Sequence, residues 1–391
     1  MHTQVGIVGA GPAGLLLSLM LEQQGISSVI VEDRSREYCE GRVRAGVLED
    51  GAVEVLTAAG VGERMHREGL VHNGIYLRFG GKSHHIDFPE LTGKHIMVYG
   101  QHECVKDMIA ARLAQGGAIH FESSDVSVHK FDTDKPEVRF RDAAGNAQVL
   151  TCDFIAGCDG FHGVSRPSIP AGVLTFYDRT YPCAWLGILT DAPQVCPELI
   201  YVHTERGFAL FSQRSETVQR YYLQCATDDD ISAWSDDRIW SELQTRLDGE
   251  DKPKLVEGPI TQKSITPMRS FVTEPMQCGR LFLAGDSAHI VPPTGAKGMN
   301  LAVGDVVLLL RGIEAYYKKN SMSLLDNYSA TAIRRVWKYE RFSWWMTTLL
   351  HTFDGTIPFD AKVQLGELDY YTSSRAGMES LAEQYVGLPM L

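Results

Sequence analysis

The stretch Gln4–Gly14, QVGIVGAGPAG, decides the fold. Residues 4–9 form an apolar run short enough for a buried strand, and the spacing beyond predicts a helix from Leu15 to Gln24. Ser28 to Glu32 (SVIVE) reads as the next strand, so the unit is β-α-β with a parallel pair. Its junction is a GxGxxG. Gly9 permits the tight turn, Gly11 lets a pyrophosphate approach the backbone, and Gly14 lets helix and strand pack closely. Pro12 suits a first helical turn, where its missing N–H costs nothing. The free N–H groups and the helix dipole favour phosphates there. Glu32 ends the second strand, where a carboxylate can accept a bond from a ribose hydroxyl. GxGxxG alone is a weak signal whose plain alternative is a glycine-rich turn. With strand, helix and acid in order, dinucleotide binding is favoured.

Further along, Glu103 to Gln115 carries Val105, Met108, Ile109 and Leu113 at helical spacing. Phe131 to Leu150 reads as a β-hairpin turning through Asp142–Asn146, and Asp153 to Cys158 as another apolar strand. From about 176 to 268 the β-like runs are short, as in Trp185–Leu189, Phe208–Ser212 and Arg220–Gln224. Leu281 to Ala284 returns to a buried strand, followed by a Gly/Pro-rich loop and a helix from Met299 to Ile313. Leu324 to Leu350 is expected to be helical, with Trp337, Tyr339, Phe342, Trp344 and Trp345 as an aromatic cluster. The fold class is therefore α/β and multidomain (α+β). It has a Rossmann-like domain, a mostly antiparallel β-sheet domain and a C-terminal helical region. The expected boundaries are 1–175 with 269–300 returning to it, then 176–290, then 291–391. If the strands at 4–9, 153–158 and 281–284 share one sheet, the first domain is discontinuous.

The bulk composition excludes several classes. Of 391 residues 44% are apolar and 22% charged, ordinary values for a globular chain. With 37 Lys plus Arg against 49 Asp plus Glu, the net charge of −12 repels nucleic-acid phosphates over most of the surface. No apolar stretch approaches the ~20 residues that span a bilayer. The N-terminus lacks a basic region, so no signal peptide is expected. The eight cysteines form no CxxC and no zinc spacing, so no metal is expected and a reducing cytoplasm is the simplest setting.

GxGxxG does not distinguish FAD from NAD. Cys158-Asp159-Gly160 and Gly285-Asp286 each follow a strand, and singly either could be a turn. Together they resemble the two extra fingerprints of the FAD-dependent class A aromatic hydroxylases. The resemblance extends over Gly279–Asn300 (GRLFLAGDSAHIVPPTGAKGMN), Gly41–Glu49 (GRVRAGVLE), Tyr99–Gln101 (YGQ), Ile155–Gly163 (IAGCDGFHG) and Tyr385–Pro389 (YVGLP). These runs cover essentially the whole chain and resemble the branch of the family that acts on 4-hydroxybenzoate.

The resemblance implies bound FAD, NADPH or NADH as reductant, O2 as oxidant and a homodimer. It implies 4-hydroxybenzoate as substrate, hydroxylated to 3,4-dihydroxybenzoate through a flavin C4a-hydroperoxide. Arg42, Arg44 and Gln101 are implied to line the FAD, with Arg44 near its pyrophosphate. Asp286 is implied on the ribityl chain, Asp159 near both cofactors, and main-chain N–H groups at Met299 and Asn300 near the flavin. Two cations offset phosphate charge and donate several bonds; alone, the RVR run would read as solvated surface. Arg220 resembles the residue associated with flavin movement.

On the substrate side, Ser212 and Arg214 are implied to hold the carboxylate, with Tyr222 assisting. Two residues apart on a strand, Ser212 and Arg214 share one face, and a guanidinium binds a planar carboxylate in two parallel bonds. The plain alternative is a half-buried sheet with an exposed charge. Tyr201 is implied to meet the phenol, linked through Tyr385 toward His72 as a proton path, with the Pro293 carbonyl as a further acceptor. Arg34, Tyr38 and Arg269 are implied to meet the nicotinamide coenzyme. Asp33 would repel a 2′-phosphate that Arg34 and Arg36 attract, so use of both coenzymes is expected.

Two other readings compete. An FAD oxidase or dehydrogenase on the same fold would be reduced directly by its organic substrate. A non-catalytic binder would lack the flavin loop and the arginine anchor. No second GxGxxG follows a predicted strand, and no CxxC supports a disulfide reductase.

Overall fold

In the computed structural model, which describes all residues except Ala45, Lys252 and Leu391, the Gln4–Glu32 unit folds as β-α-β. The strand Val5–Val8 pairs in parallel with Ser28–Val31 on one side and Phe154–Gly157 on the other. Phe154–Gly157 pairs in parallel with Leu281–Leu283, and Ser28–Val31 with Ala118–His120. Strands far apart in the chain thus lie in one six-stranded sheet, which the short strand Gln277–Cys278 completes. The helix Pro12–Gln23 covers this sheet, burying Leu15, Leu16, Leu17, Leu19 and Leu21. Each leucine contributes roughly 1.5–3 kcal/mol of burial. The helix begins three residues earlier than its apolar spacing predicts, because Ala13 and Gly14 are small enough to pack directly against the first strand. The expected hairpin forms from Glu137–Arg141 and Ala147–Thr151, and Ser124–His129 adds a third strand.

A second sheet has eight strands. Thr175–Asp191 lies between Ile260–Glu274 and Val218–Cys225, and the order continues through Ala209–Gln213 and Leu199–Val202. Leu199–Val202 then pairs in parallel with Gly74–Phe79, whose hairpin partner is Lys82–Asp87. This hairpin comes from the first third of the chain, so the sheet spans segments that are distant in sequence.

Alternation gives the second sheet two distinct faces. One carries Leu186, Ile188, Ile200, Phe211, Tyr221 and Leu223, packed with Ile239, Trp240 and Leu243 of the helix Asp236–Leu247. The other carries Trp185, Tyr201, Phe208 and Leu210, with Tyr222 half-buried, and faces the C-terminal helices. Those helices are Tyr328–Leu350, Pro358–Ser373 and Arg375–Val386. The aromatic cluster of the first is divided by helix geometry: Tyr339, Phe342 and Trp345 are buried, while Trp337 and Trp344 are on the outer side. No helix among the described residues is long and apolar enough to cross a membrane.

Candidate active site

The three glycines of the first turn have different surroundings. Gly9 has φ +103, and a Cβ there would lie 2.4 Å from the Cys158 carbonyl oxygen. A Cβ on Gly14 would lie 2.1 Å from the Gly9 oxygen. Gly11 alone is open, its nearest neighbour being 3.9 Å away. Gly11 is also the N-cap of the Pro12–Gln23 helix and supplies no side-chain cap, so the first-turn N–H groups are free for an anion. Glu32 is buried beside this turn. Its two carboxylate oxygens accept the Ala10 N–H at 2.6 Å and the Arg34 N–H at 2.9 Å. Burial, with Asp33 adding, raises its pKa to about 7. A carboxylate oxygen can accept more than one bond, so Glu32 retains capacity toward a ribose.

Asp286 is exposed in the turn Gly285–Ser287. A Cβ on Gly285 would lie 3.4 Å from Ala302 and 3.6 Å from Ala13, which sets this turn between the starts of two helices. The second helix, Gly298–Lys319, also has no side-chain cap. Met299 is half-buried in its first turn. The Asn300 side chain is fully used: it donates to the Val47 and Ala296 carbonyls at 3.0 and 2.9 Å and accepts the Glu49 N–H at 3.0 Å. Only main-chain groups of Asn300 are left for a ligand. Arg42 and Arg44 are exposed, and the charges acting on Arg44 include Arg42, Asp286 and Tyr222. Gln101 is half-buried at the start of the helix Gln101–Ala114. Asp159 turns inward. Its Oδ2 accepts the Ser165 N–H at 2.8 Å, its Oδ1 is buried without a partner, and burial raises its pKa. Two uncapped helix starts, an open glycine, two exposed arginines and a free carboxylate fit a long, doubly anionic dinucleotide.

Ser212, Arg214 and Tyr222 come together on the inner face of the second sheet. Ser212 Oγ donates to the Arg220 carbonyl at 2.6 Å, and Arg214 Nη1 is 3.5 Å from that hydroxyl. Arg214 Nη1 also donates to the Gln213 carbonyl at 2.7 Å, and Nη2 is 3.5 Å from the Tyr222 hydroxyl. Arg214 Nε is buried without a partner. Burial lowers the Arg214 pKa, and the neighbouring Arg220 lowers it further. Arg220 lies with Cζ 5.2 Å from the Tyr222 ring centroid, and its Nη1 too is buried and unpartnered. A Cβ at residue 187 would fall 2.5 Å from Arg220 Nη2, so Gly187 makes room for this guanidinium. Two largely buried guanidiniums thus flank Tyr222, and no acid is paired with either among the described residues.

Tyr201 pairs with Leu210 in the sheet register, and Leu210 with Tyr222. The Tyr201 hydroxyl is 2.6 Å from that of Tyr385. Burial raises both phenolic pKa values. The bonded chain stops there: His72 Nε2 bonds Gln213 Oε1 at 2.9 Å, and no hydrogen bond joins His72 to Tyr385. His72 is neutral, its pKa lowered to about 4 by burial, and its Nδ1 has no partner. Pro293 is exposed, and its carbonyl accepts the Ala296 N–H at 2.9 Å. Gln213, His102 and Asp305 carry no sequence signal of their own and are brought beside these groups by the fold. His102 follows the YGQ run and has an unpartnered buried Nδ1, with Arg214 among the charges acting on it. Gln213 sits between Ser212 and Arg214, but its side chain points to the opposite face, toward His72 and the Cys196 carbonyl.

Residues 2–343 match the family described as FAD binding domain. The chain is 51% identical over 390 residues to the p-hydroxybenzoate hydroxylase of Acinetobacter baylyi, covering 100% of this chain and 96% of that one. The chain belongs to the class A flavoprotein hydroxylases.

This class A hydroxylase is thus an FAD-dependent aromatic monooxygenase. A more distant relative is a probable NADH-specific resorcinol 4-hydroxylase of Rhodococcus jostii, 27% identical over 83% of this chain and 61% of that one. The p-nitrophenol 4-monooxygenase structure from Pseudomonas putida superposes with TM-score 0.85 over 99% of both chains at 19% identity, a likeness of fold. In the hydroxylase, the residues implied to meet nicotinamide are already engaged. Arg34 Nε is 3.4 Å from Asp33, and its guanidinium is 5.3 Å from the exposed Tyr38 ring. Arg36 pairs with Glu40 at 2.6 Å. Arg269 Nε donates to Asp178 at 2.8 Å and its guanidinium lies over the Phe161 ring.

Proposed function

We propose that this monooxygenase converts 4-hydroxybenzoate to 3,4-dihydroxybenzoate, consuming NAD(P)H and O2 and releasing water. The observation that carries this reading is the Arg214 guanidinium, desolvated and without an acid, on the same sheet face as the Tyr201 hydroxyl. Ser212 is one step along the strand from Leu210, which pairs with Tyr201, a rise of about 7 Å for two residues. That spacing suits a ring with carboxylate and phenol at opposite ends.

In this reading Arg214, Ser212 and Tyr222 bind the carboxylate, so regioselectivity follows from positioning. Tyr201 donates to the phenolate oxygen, and Tyr385 passes the displaced proton onward. His72, bonded to Gln213, is the next member of that path in this reading. The Pro293 carbonyl retains one lone pair as a further acceptor. Arg42, Arg44, Gln101, Asp159, Asp286, Glu32 and the helix start at Met299 and Asn300 hold FAD, and Arg220 flanks it. FAD, when bound, supplies the hydride acceptance and oxygen activation that no side chain can. The protein orients the ring, excludes water and holds the phenol deprotonated.

Arg34, Tyr38 and Arg269 receive the nicotinamide coenzyme, their present ion pairs exchanging for it. A homodimer is supported by Phe359, Val363 and Tyr370, exposed along one helix and together with Ile357 forming an apolar stripe. The eight free cysteines suit a cytoplasmic setting.

One experiment tests the core of this reading. The purified protein should be yellow, and 4-hydroxybenzoate should strongly accelerate its consumption of NADH or NADPH, with 3,4-dihydroxybenzoate appearing by chromatography. Flavin reduction by an aromatic acid without coenzyme would make it an oxidase or dehydrogenase instead.

A further inference from the structure

Asp305 and His289 form an ion pair in the interior, 3% and 2% exposed. Asp305 lies on the helix Gly298–Lys319, and His289 on the short strand that pairs with Val272. The Asp305 carboxylate has two bonds through one oxygen. Oδ2 is 2.7 Å from His289 Nε2 and accepts the Gly285 N–H at 2.9 Å. Gly285 has φ +66, a left-handed conformation in which its N–H points back into the protein. From the other side, Ser287 Oγ donates to the Gly157 carbonyl at 2.6 Å and accepts the Ala284 N–H at 3.1 Å. The turn is therefore fastened at both flanking residues, and Asp286 between them is the residue left facing outward.

A buried ion pair is a weak source of stability, because desolvation offsets most of the attraction. Burial disfavours the charged imidazole, yet Asp305, with Asp286 and Glu340 adding, raises the His289 pKa overall. One carboxylate oxygen of Asp305 thus bonds both the imidazole and a single backbone N–H of the cofactor turn.

We propose that Asp305 is a positioning residue for the cofactor: it fixes the Gly285 N–H and so aims the Asp286 carboxylate at the ribityl hydroxyls of FAD. His289 keeps that carboxylate oriented through its 2.7 Å contact with Oδ2. The inference rests on the reading that Asp286 holds FAD.

A double-mutant cycle on the apo-protein tests it, with FAD affinity read by flavin fluorescence and folding by thermal melting. Asp286→Ala and Asp305→Asn should each raise the FAD dissociation constant by about tenfold or more, the loss of one charge-assisted bond. The Asp286→Ala/Asp305→Asn double variant should bind no more weakly than Asp286→Ala alone, since Asp305 acts only through Asp286. An unchanged dissociation constant in Asp305→Asn, or additive effects in the double variant, would overturn the proposal and make the pair a packing feature. An unchanged constant in Asp286→Ala would overturn the assignment of Asp286, and the proposal with it. If Asp305→Asn does not fold, Asp305→Leu/His289→Leu removes both charges together and leaves neither unpaired. It should melt cooperatively and still show the weakened FAD binding, and unchanged binding in that variant overturns the proposal.

Discussion

The hydroxyls of Tyr201 and Tyr385 stand 2.6 Å apart, with both rings 1% exposed. Burial keeps both phenols neutral, so Tyr201 can donate to a substrate phenolate while accepting from Tyr385. Tyr201→Phe should bind 4-hydroxybenzoate through the untouched Arg214 and Ser212 and should still be reduced by coenzyme. Oxygen transfer should fail, because a neutral phenol is the poorer nucleophile. Reducing equivalents should then end as hydrogen peroxide, so coenzyme consumption exceeds product. Measuring peroxide and dihydroxybenzoate in one reaction decides it; full hydroxylation without extra peroxide would make Tyr201 a packed aromatic.

Arg214→Lys should weaken 4-hydroxybenzoate binding and leave FAD in place. Lysine cannot reproduce a bidentate fork, and the loss of a desolvated guanidinium pairing costs roughly 2–5 kcal/mol. Titration of the flavin absorbance with substrate measures the change. An unaltered dissociation constant would move the carboxylate site elsewhere.

Both NADH and NADPH should support turnover. The cations available to a 2′-phosphate are already balanced, Arg34 by Asp33, Arg36 by Glu40 and Arg269 by Asp178. A preference of about a thousandfold in kcat/KM requires roughly 4 kcal/mol, and steady-state kinetics with each coenzyme would expose it.

Glu340 should make stability depend on pH. It is buried on the helix Tyr328–Leu350 with Oε1 unpartnered, and burial raises its pKa to about 7, against smaller opposing effects of Ser270 and His289. Protonated Glu340 thus contributes stability that is complete below about 4.5 and lost as pH rises through about 7. Glu340→Gln has no such dependence. Its stability relative to the parent should rise between pH 5 and pH 8 by up to the order of 3 kcal/mol. Melting curves at the two values would show a constant difference if Glu340 were solvated.

Much of this architecture is legible in local signals. The Val5–Val8 strand, the glycine turn and the Ser28–Val31 strand follow from apolar spacing, and the long helices from their periodicity. Less visible is what depends on pairing between distant segments. The Gly74–Asp87 hairpin joins the second sheet through Leu199–Val202, a parallel contact that no local pattern announces. At the site, strand alternation places Ser212 and Arg214 on one face, but the pattern leaves open an exposed charge, and only the fold shows the Arg214 guanidinium buried beside Tyr222. The side-chain bonds of Asn300 and Asp305 are not legible in the sequence, because each reaches backbone groups outside its own element: the Val47 carbonyl and Glu49 N–H for Asn300, the Gly285 N–H for Asp305. Likewise, His72 is a relay member only by resemblance, and its observed partner Gln213 is 141 positions distant.

The C-terminal segment is held by cations from the middle of the protein. Lys297 Nζ donates to the Tyr385 carbonyl at 2.8 Å, and Arg335 donates to the carbonyls of Leu388 and Pro389 at 3.2 and 2.9 Å. Both cations also converge on Glu49. The last few residues therefore work as a latch that closes only when loop, helix and first domain are all in register.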